Sequence, residues 1–69
     1  MRVFTKLMDD KDRTVVTHFL CETEKEFKKA KKFSLNFDEV EFISTYIHNN
    51  TVYYGCVKIF SLDFDEELD

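Results

Sequence analysis

The sequence predicts a small α+β domain in which two antiparallel β-hairpins flank one helix, in the order ββαββ, and form a four-stranded sheet. Three observations predict it: β-prone runs on both sides of an Asp-rich break at residues 9–13, a helix start at Thr23, and an Asn49-Asn50 turn between two further β-prone runs. The chain has 69 residues, of which 43% are hydrophobic and 35% charged, as is typical of one folded domain. We assign residues 1–62 to that domain and residues 63–69 to an acidic C-terminal tail.

The first predicted hairpin joins residues 3–8 to residues 14–21 through the polar segment between them. We centre its turn on Lys11-Asp12, since Asp-rich breaks favour turns. This register places four aliphatic side chains on one face, and a slip of one residue would mix the two faces. The resulting pairs are Leu7 with Val16, Thr5 with His18, and Val3 with Leu20.

The helix is predicted from a capping box at Thr23 and Glu26. The Thr23 hydroxyl is expected to accept from the Glu26 amide, and the glutamate to reach back to the Thr23 amide. Lys, Glu and Ala then favour helix as far as about Phe33. Phe27 and Ala30, three residues apart, give it a narrow apolar stripe.

The second predicted hairpin spans residues 38–62 and turns at Asn49-Asn50, because asparagine tolerates the left-handed backbone of a two-residue turn. Its register sets Glu41 against Lys58, a favourable cross-strand pair. The expected core face holds Val40, Phe42, Tyr46, Tyr53, Val57 and Ile59, and the opposite face holds Ile43, Ile47, Val52, Tyr54 and Cys56.

One helix with so narrow a stripe covers only part of one face of a four-stranded sheet. We therefore expect the second face to keep an apolar patch, which on a small protein usually indicates association. The patch would serve a protein partner through Tyr54 and Ile47. Alternatively, a structural homodimer or accessory subunit would use Ile43, Ile47, Val52 and Tyr54.

Charge is distributed unevenly along the chain. Residues 1–33 hold nine basic and six acidic side chains, residues 34–69 hold one basic and eight acidic side chains, and the formal net charge is −4. The lysines of the helix most simply form a solvated surface, but they could also neutralise phosphates. A small nucleic-acid-binding protein is therefore an alternative, although the negative net charge argues against direct nucleic-acid binding. Its residues would be Lys25, Lys28, Lys29 and Lys32.

The C-terminal tail has five negative charges in seven residues. Phe64 and Leu68 are four residues apart among these carboxylates, as in an amphipathic peptide that orders on binding. Such a tail could imitate a phosphate backbone and bind a basic groove of another protein. The expected partner-binding residues of the tail are Asp63, Phe64, Asp65, Glu66, Glu67 and Leu68.

Catalytic, cofactor and metal sites are not predicted. His18, Cys21, His48 and Cys56 are zinc-ligand types, but residues three apart on a strand point to opposite faces, and the predicted register also separates His48 from Cys56. The same separation argues against a Cys–His nucleophile, and the chain has neither a glycine-rich loop nor a nucleophile elbow. We therefore expect a protein that is not an enzyme and has no cofactor.

The expected location is the cytoplasm of the producing or host cell. The first residues have no apolar signal segment, two cysteines are too few for a disulfide framework, and no window is apolar enough to span a membrane.

The acidic, Phe-rich and proline-free composition resembles that of small phage-encoded proteins that disable host enzymes or defence systems. The ββαββ order, carried by the breaks at residues 9–13 and 49–50 and by the helix at Thr23, is similar to that of phage-encoded antitoxins that plug a ribonuclease toxin. The resemblance implies an inhibitor that binds protein, and it assigns no residue a role. We therefore expect a non-enzymatic modulator of a nucleic-acid-processing protein, such as a nuclease or toxin.

Overall fold

The computed structural model describes residues 1–62, and the tail at residues 63–69 lies outside that range. The described chain is an α+β domain with one helix, a four-stranded antiparallel sheet and a two-stranded sheet. The predicted α+β class, the helix and the four-stranded sheet are therefore confirmed. The predicted order ββαββ differs from the described order β-β-α-β-β-β-β, because each strand of the second hairpin is divided in two. The elements in chain order are β1 (Arg2–Asp9), β2 (Thr14–Cys21), α1 (Glu24–Ser34), β3 (Glu39–Ile43), β4 (Tyr46–His48), β5 (Thr51–Tyr53) and β6 (Gly55–Leu62).

The four-stranded sheet has the order β1-β2-β6-β3, and each neighbouring pair is antiparallel. The last strand is therefore central, since β6 pairs with β2 on one side and with β3 on the other. β4 and β5 pair only with each other among the described strands. They form the end of the second hairpin, which has separated from the main sheet.

The register of the second hairpin is as predicted in both of its paired parts. Phe42 pairs with Val57 and Glu41 with Lys58 in the main sheet, and Tyr46 pairs with Tyr53 in the small one. Asn49 and Asn50 have φ values of 50° and 63°, the left-handed backbone that a tight two-residue turn requires.

The predicted register of the first hairpin is wrong by one residue. Lys6 pairs with Val16, Phe4 with His18 and Arg2 with Leu20. A β-bulge between Leu7 and Asp9 is the reason, because the extra residue shifts the pairing of every position before it. The side chain that shares a face with His18 is consequently that of Phe4, and Thr5 lies on the other face.

The helix begins as expected, with one difference in its cap. Thr23 Oγ1 accepts from the Glu26 amide at 3.2 Å. Glu26 Oε1 accepts from the amide of Glu22 at 2.9 Å, and not from that of Thr23 as predicted. The other carboxylate oxygen of Glu26 accepts from the N-terminal ammonium of Met1 at 3.0 Å. The backbone hydrogen bond from Glu22 is the first cause of the lowered pKa of Glu26.

Two apolar clusters lie on the two sides of the main sheet. On the side covered by α1, which we call the helix side, Phe27 and Ala30 pack on the sheet. The side covered by β4 and β5 is the hairpin side. The buried residues of the helix-side cluster are Cys21, Phe27, Ala30, Val57 and Ile59, and those of the hairpin-side cluster are Leu20, Tyr53 and Cys56. Ser34 of α1 is buried as well.

The expectation that one sheet face is left uncovered is therefore wrong. The end of the second hairpin folds back over part of that face and packs against Leu20 and Cys56, which are both fully buried. Tyr46 and Tyr53, predicted to share a face with Val57, lie with the hairpin-side cluster, while Val57 lies on the helix side. Cys56, predicted on the exposed face, is fully buried.

Candidate protein-binding surface

The candidate site is the outer face of the β4–β5 hairpin. Successive side chains of a strand point to opposite sides. Alternate side chains of β4 and β5 therefore face the main sheet, and the others face solvent. Tyr46 and His48 are half-buried and Tyr53 is buried. Ile47 and Val52, directly paired across the two strands, are each 67% exposed. The hairpin thus presents an aliphatic cross-strand pair to solvent.

The inward side chains hold the hairpin against the sheet through a stack of rings. The Phe4 ring lies between the rings of His18 and His48, with centroid distances of 4.4 Å and 4.6 Å. Tyr46 tilts towards His18 at 6.2 Å between centroids. Aromatic contacts of this kind contribute beyond the area that they bury. They fix the outward direction of Ile47 and Val52.

The chain can fold back at this point because residue 55 is its one glycine. A Cβ at Gly55 would lie 2.9 Å from both Cδ1 and Cε1 of Phe27 and 3.0 Å from the carbonyl oxygen of Ile43. No side chain fits in that space without displacement of a neighbour. Gly55 therefore lets the strand pass closely between the helix and β3 at the bend.

Tyr54 occupies the bend itself, between β5 and β6. Its ring meets that of Phe27 edge-on at 5.7 Å between centroids, and 44% of the residue is exposed. It shares with Val52 an open recess of about 510 Å³. We call Ile47, Val52 and Tyr54 the hairpin face.

Two predicted partner-binding residues, Ile47 and Tyr54, thus lie on one exposed surface, joined through Val52. Ile43 does not belong to it, because it is half-buried against the hairpin-side cluster. The continuous face predicted for a homodimer, from Ile43 to Tyr54, is therefore absent from the described part of the chain. The sequence predicts Val52 as a contact residue of the homodimer alternative but not of the protein partner, although its pairing with Ile47 already places the two side by side.

The remaining predicted partner-binding residues lie outside the described residues. They are Asp63, Phe64, Asp65, Glu66, Glu67 and Leu68. Their charge still matters to the account, since residues 1–62 hold ten basic and nine acidic side chains. The negative net charge of the protein comes entirely from the tail.

Four lysines lie on the outward side of α1, opposite the buried Phe27 and Ala30. Their spacing of three and four residues places them on one helix face, and all four are exposed. One of them, Lys28, pairs with Glu24 at 3.6 Å. We call this set the lysine stripe, and its members are Lys25, Lys28, Lys29 and Lys32.

The fold also brings together a histidine and a cysteine, contrary to the sequence-based expectation for such a pair. His18 Nδ1 lies 4.0 Å from Cys56 Sγ inside the hairpin-side layer. Burial is the first cause of both shifts there: it lowers the pKa of His18 and raises the pKa of Cys56 to about 11. Both groups are thus held neutral, which is the reverse of the thiolate–imidazolium pair of a cysteine nucleophile. His48 reaches the same layer, because the hairpin folds back.

Within residues 1–62, no three or more His, Cys, Asp or Glu side chains gather in a way that could hold a metal ion. None of the helices in that range is long and apolar enough to cross a membrane. Cys21 and Cys56 are both buried free thiols.

Comparison of the chain with protein-family models, with curated proteins and with solved structures gives no significant match.

Proposed function

We propose that this protein is a non-enzymatic modulator or inhibitor that binds a surface of another protein. The observation that carries the proposal is the pair Ile47 and Val52, two β-branched side chains exposed side by side on a hairpin whose inner face is anchored. Exposed aliphatic groups on a rigid element, beside an aromatic such as Tyr54, are typical anchors of a protein interface. A small protein gains nothing in its own stability from leaving them in water.

The acidic tail supports a partner with a basic surface. Its five carboxylates would steer the encounter and set its orientation, while the hairpin face supplies the contact that excludes water. A basic groove is typical of proteins that process nucleic acid. We therefore propose a nuclease or toxin as the target class and an antitoxin-like mode of action, in the cytoplasm of the producing or host cell.

The test separates the two parts of the proposed interface. The immobilised protein is used to capture a partner, which is then purified and its affinity measured with matched variants. I47D/V52D places charges on the hairpin face, and T51D adds one to the same hairpin at an exposed position outside that face. We expect I47D/V52D to weaken binding at least about tenfold at every salt concentration, as hot-spot residues do, and T51D to have little effect.

Truncation after Leu62 tests the tail. We expect a cooperative fold, slower association and a loss of the salt dependence of binding, because long-range steering is screened by salt. Unchanged affinity of the truncated protein would reduce the tail to a solubilising segment. Equal binding by I47D/V52D and the unaltered protein would refute the proposed interface.

The lysine stripe favours a second candidate function, direct nucleic-acid binding. Four exposed lysines on one helix face match a row of phosphates, and binding would weaken steeply with salt. An electrophoretic shift assay with DNA and RNA at two salt concentrations distinguishes the two functions. Binding that is lost in K28E/K32E and kept in I47D/V52D would favour the stripe over the hairpin face.

A further inference from the structure

Strand β1 is the less protected edge of the main sheet. Among the described strands it has one neighbour, β2, and only Phe4 of its eight residues is half-buried while the others are exposed. The opposite edge, β3, has five residues and includes Glu39 and Glu41, whose like charges oppose pairing with a similar strand. An open, eight-residue edge is a template for another strand.

The sequence of β1 is complementary to itself when two copies run antiparallel. With Thr5 opposite Thr5 of a second copy, Val3 of each copy meets Leu7 of the other. All three residues lie on the helix side, since they pair with β2 residues of that face. On the hairpin side the same register sets Phe4 against Lys6, so that no two like charges meet at these positions. Two exposed aliphatic pairs thus flank the centre of the contact.

The β-bulge in β1 adds charge complementarity to this register. Because the bulge skips one ladder position, Asp9 occupies the slot that directly follows Leu7. The slot opposite it in the second copy is that of Arg2, so each end of the contact joins a guanidinium to a carboxylate. Asp9 is held in place by its own turn, where Oδ1 accepts the amides of Lys11 at 2.9 Å and Asp12 at 3.3 Å.

An apolar groove continues from this edge towards α1. It has a volume of about 400 Å³, and Val3, Phe19 and Phe33 line it together with Met1, Lys29 and Ala30. In the self-complementary register, Leu7 of the second copy lies beside Val3 at the rim of this groove. The second copy therefore brings an aliphatic side chain to the exposed apolar surface next to β1.

We propose that two copies of this protein pair along β1 in antiparallel register about Thr5, forming one continuous eight-stranded sheet. The contact is isologous, so the same residues serve both copies. It does not use the hairpin face, and of the lysine stripe only Lys29 lies beside it, at the groove. The hairpin face of each copy stays free to bind a partner. Failure of the proposed function would therefore not refute the pairing, and failure of the pairing would not refute the proposed function.

The test is sedimentation equilibrium of the full chain from micromolar to millimolar concentration, with charge variants at the two ends of the contact. We expect R2E to raise the dimer dissociation constant about tenfold or more, because it places like charges together twice per dimer, and R2K to change it little. D9N keeps an oxygen for the turn while it removes the charge. In the D9N background R2E is expected to have a much smaller effect, which measures the coupling of the two residues across the interface.

Cross-linking provides a second readout that does not depend on affinity. In T5C the two introduced thiols lie directly opposite each other, and we expect a disulfide-linked dimer on mild oxidation. T51C, at an exposed position on β5, is the control and should stay monomeric under the same conditions.

Three results would overturn the proposal. One is a monomer at every concentration. Another is a dimer that is insensitive to R2E but lost in I47D/V52D, which would move the contact to the hairpin face. The third is a dimer lost on truncation after Leu62, which would make the tail the occupant of the edge.

Discussion

The two sides of the main sheet are covered in different ways. The helix side is closed by α1, an element with its own start signal and apolar stripe. Its buried cluster is apolar, and the buried Ser34 beside it donates its hydroxyl to the carbonyl oxygen of Lys31 at 2.6 Å. The hairpin side is closed by the end of a strand pair that bends over the sheet, and it includes the buried His18 together with the Glu41–Lys58 pair at 3.9 Å. One helix is therefore enough for the described domain, because the second hairpin supplies two strands of the main sheet and its end packs over the second face of that sheet.

The largest expected effect tests whether the two sides are equal parts of the core. Leu20 is fully buried on the hairpin side, and Ile59 is 3% exposed on the helix side. We expect L20A and I59A each to lower the free energy of unfolding by about 3 kcal/mol, the usual result for a buried aliphatic residue cut to alanine. Urea denaturation measures both.

The control for this pair is L35A, since Leu35 is 80% exposed, and we expect a change within about 0.5 kcal/mol. If L20A were as mild as L35A, the hairpin would not cover the second face and the comparison would fail.

The next largest expected effect concerns the bend at Gly55, where the chain folds the β4–β5 hairpin over the main sheet. G55A puts a methyl group 2.9 Å from the Phe27 ring, and we expect a loss of about 2 kcal/mol from overpacking, partly offset by the lower entropy of the unfolded chain. Thermal and urea unfolding measure it. In the F27L background, where the ring is gone, G55A should cost clearly less.

S61A, on the same strand as Gly55, controls for a change to alanine without the close contact. A neutral G55A, or one equally harmful in F27L, would show that the close passage does not determine the bend.

The smallest effect is a pH dependence that belongs to the hairpin side alone. Burial first, and then the Lys58 ammonium, lower the pKa of His18 below its ordinary value of 6.5. As the pH falls, His18 therefore binds a proton in the unfolded chain before it does so in the folded protein. The contribution of His18 to the free energy of unfolding is fully present above pH 6.5 and is lost as the pH drops towards the folded pKa. Urea midpoints between about pH 7 and about pH 5 should fall further for the unaltered protein than for H18F, which keeps a ring against Phe4.

H18F differs from the unaltered protein only at residue 18, so the comparison isolates the contribution of His18. An equal fall in H18F would assign the pH dependence to other groups and leave His18 without a role in it.

Local signals predicted most of the elements of this fold. The Asn49-Asn50 turn fixes the second hairpin, since two adjacent left-handed residues determine which positions oppose each other along both strands. The Thr23 cap likewise determines the start of α1. In each case a few neighbouring residues determine the structure.

The rest depended on contacts between residues distant in sequence. A bulge has no strong sequence signal, and the predicted register of the first hairpin is therefore wrong by one residue. The fold-back depends on Gly55 meeting Phe27 and on Phe4 meeting His48, pairs that only the tertiary structure brings together. The burial of Ile43 and Cys56 depends on this fold-back and could not be predicted from the sequence. The exposure of Ile47 and Tyr54 could be predicted.

The central claim is that the β4–β5 hairpin lies over the sheet and directs Ile47 and Val52 outwards. The most direct test is a nuclear Overhauser measurement between aromatic protons of the intact chain. Contacts between the rings of Phe4 and His48, whose centroids are 4.6 Å apart, are the predicted result. A spectrum that lacked these contacts would mean that the hairpin runs straight instead of lying over the sheet, and it would contradict the account.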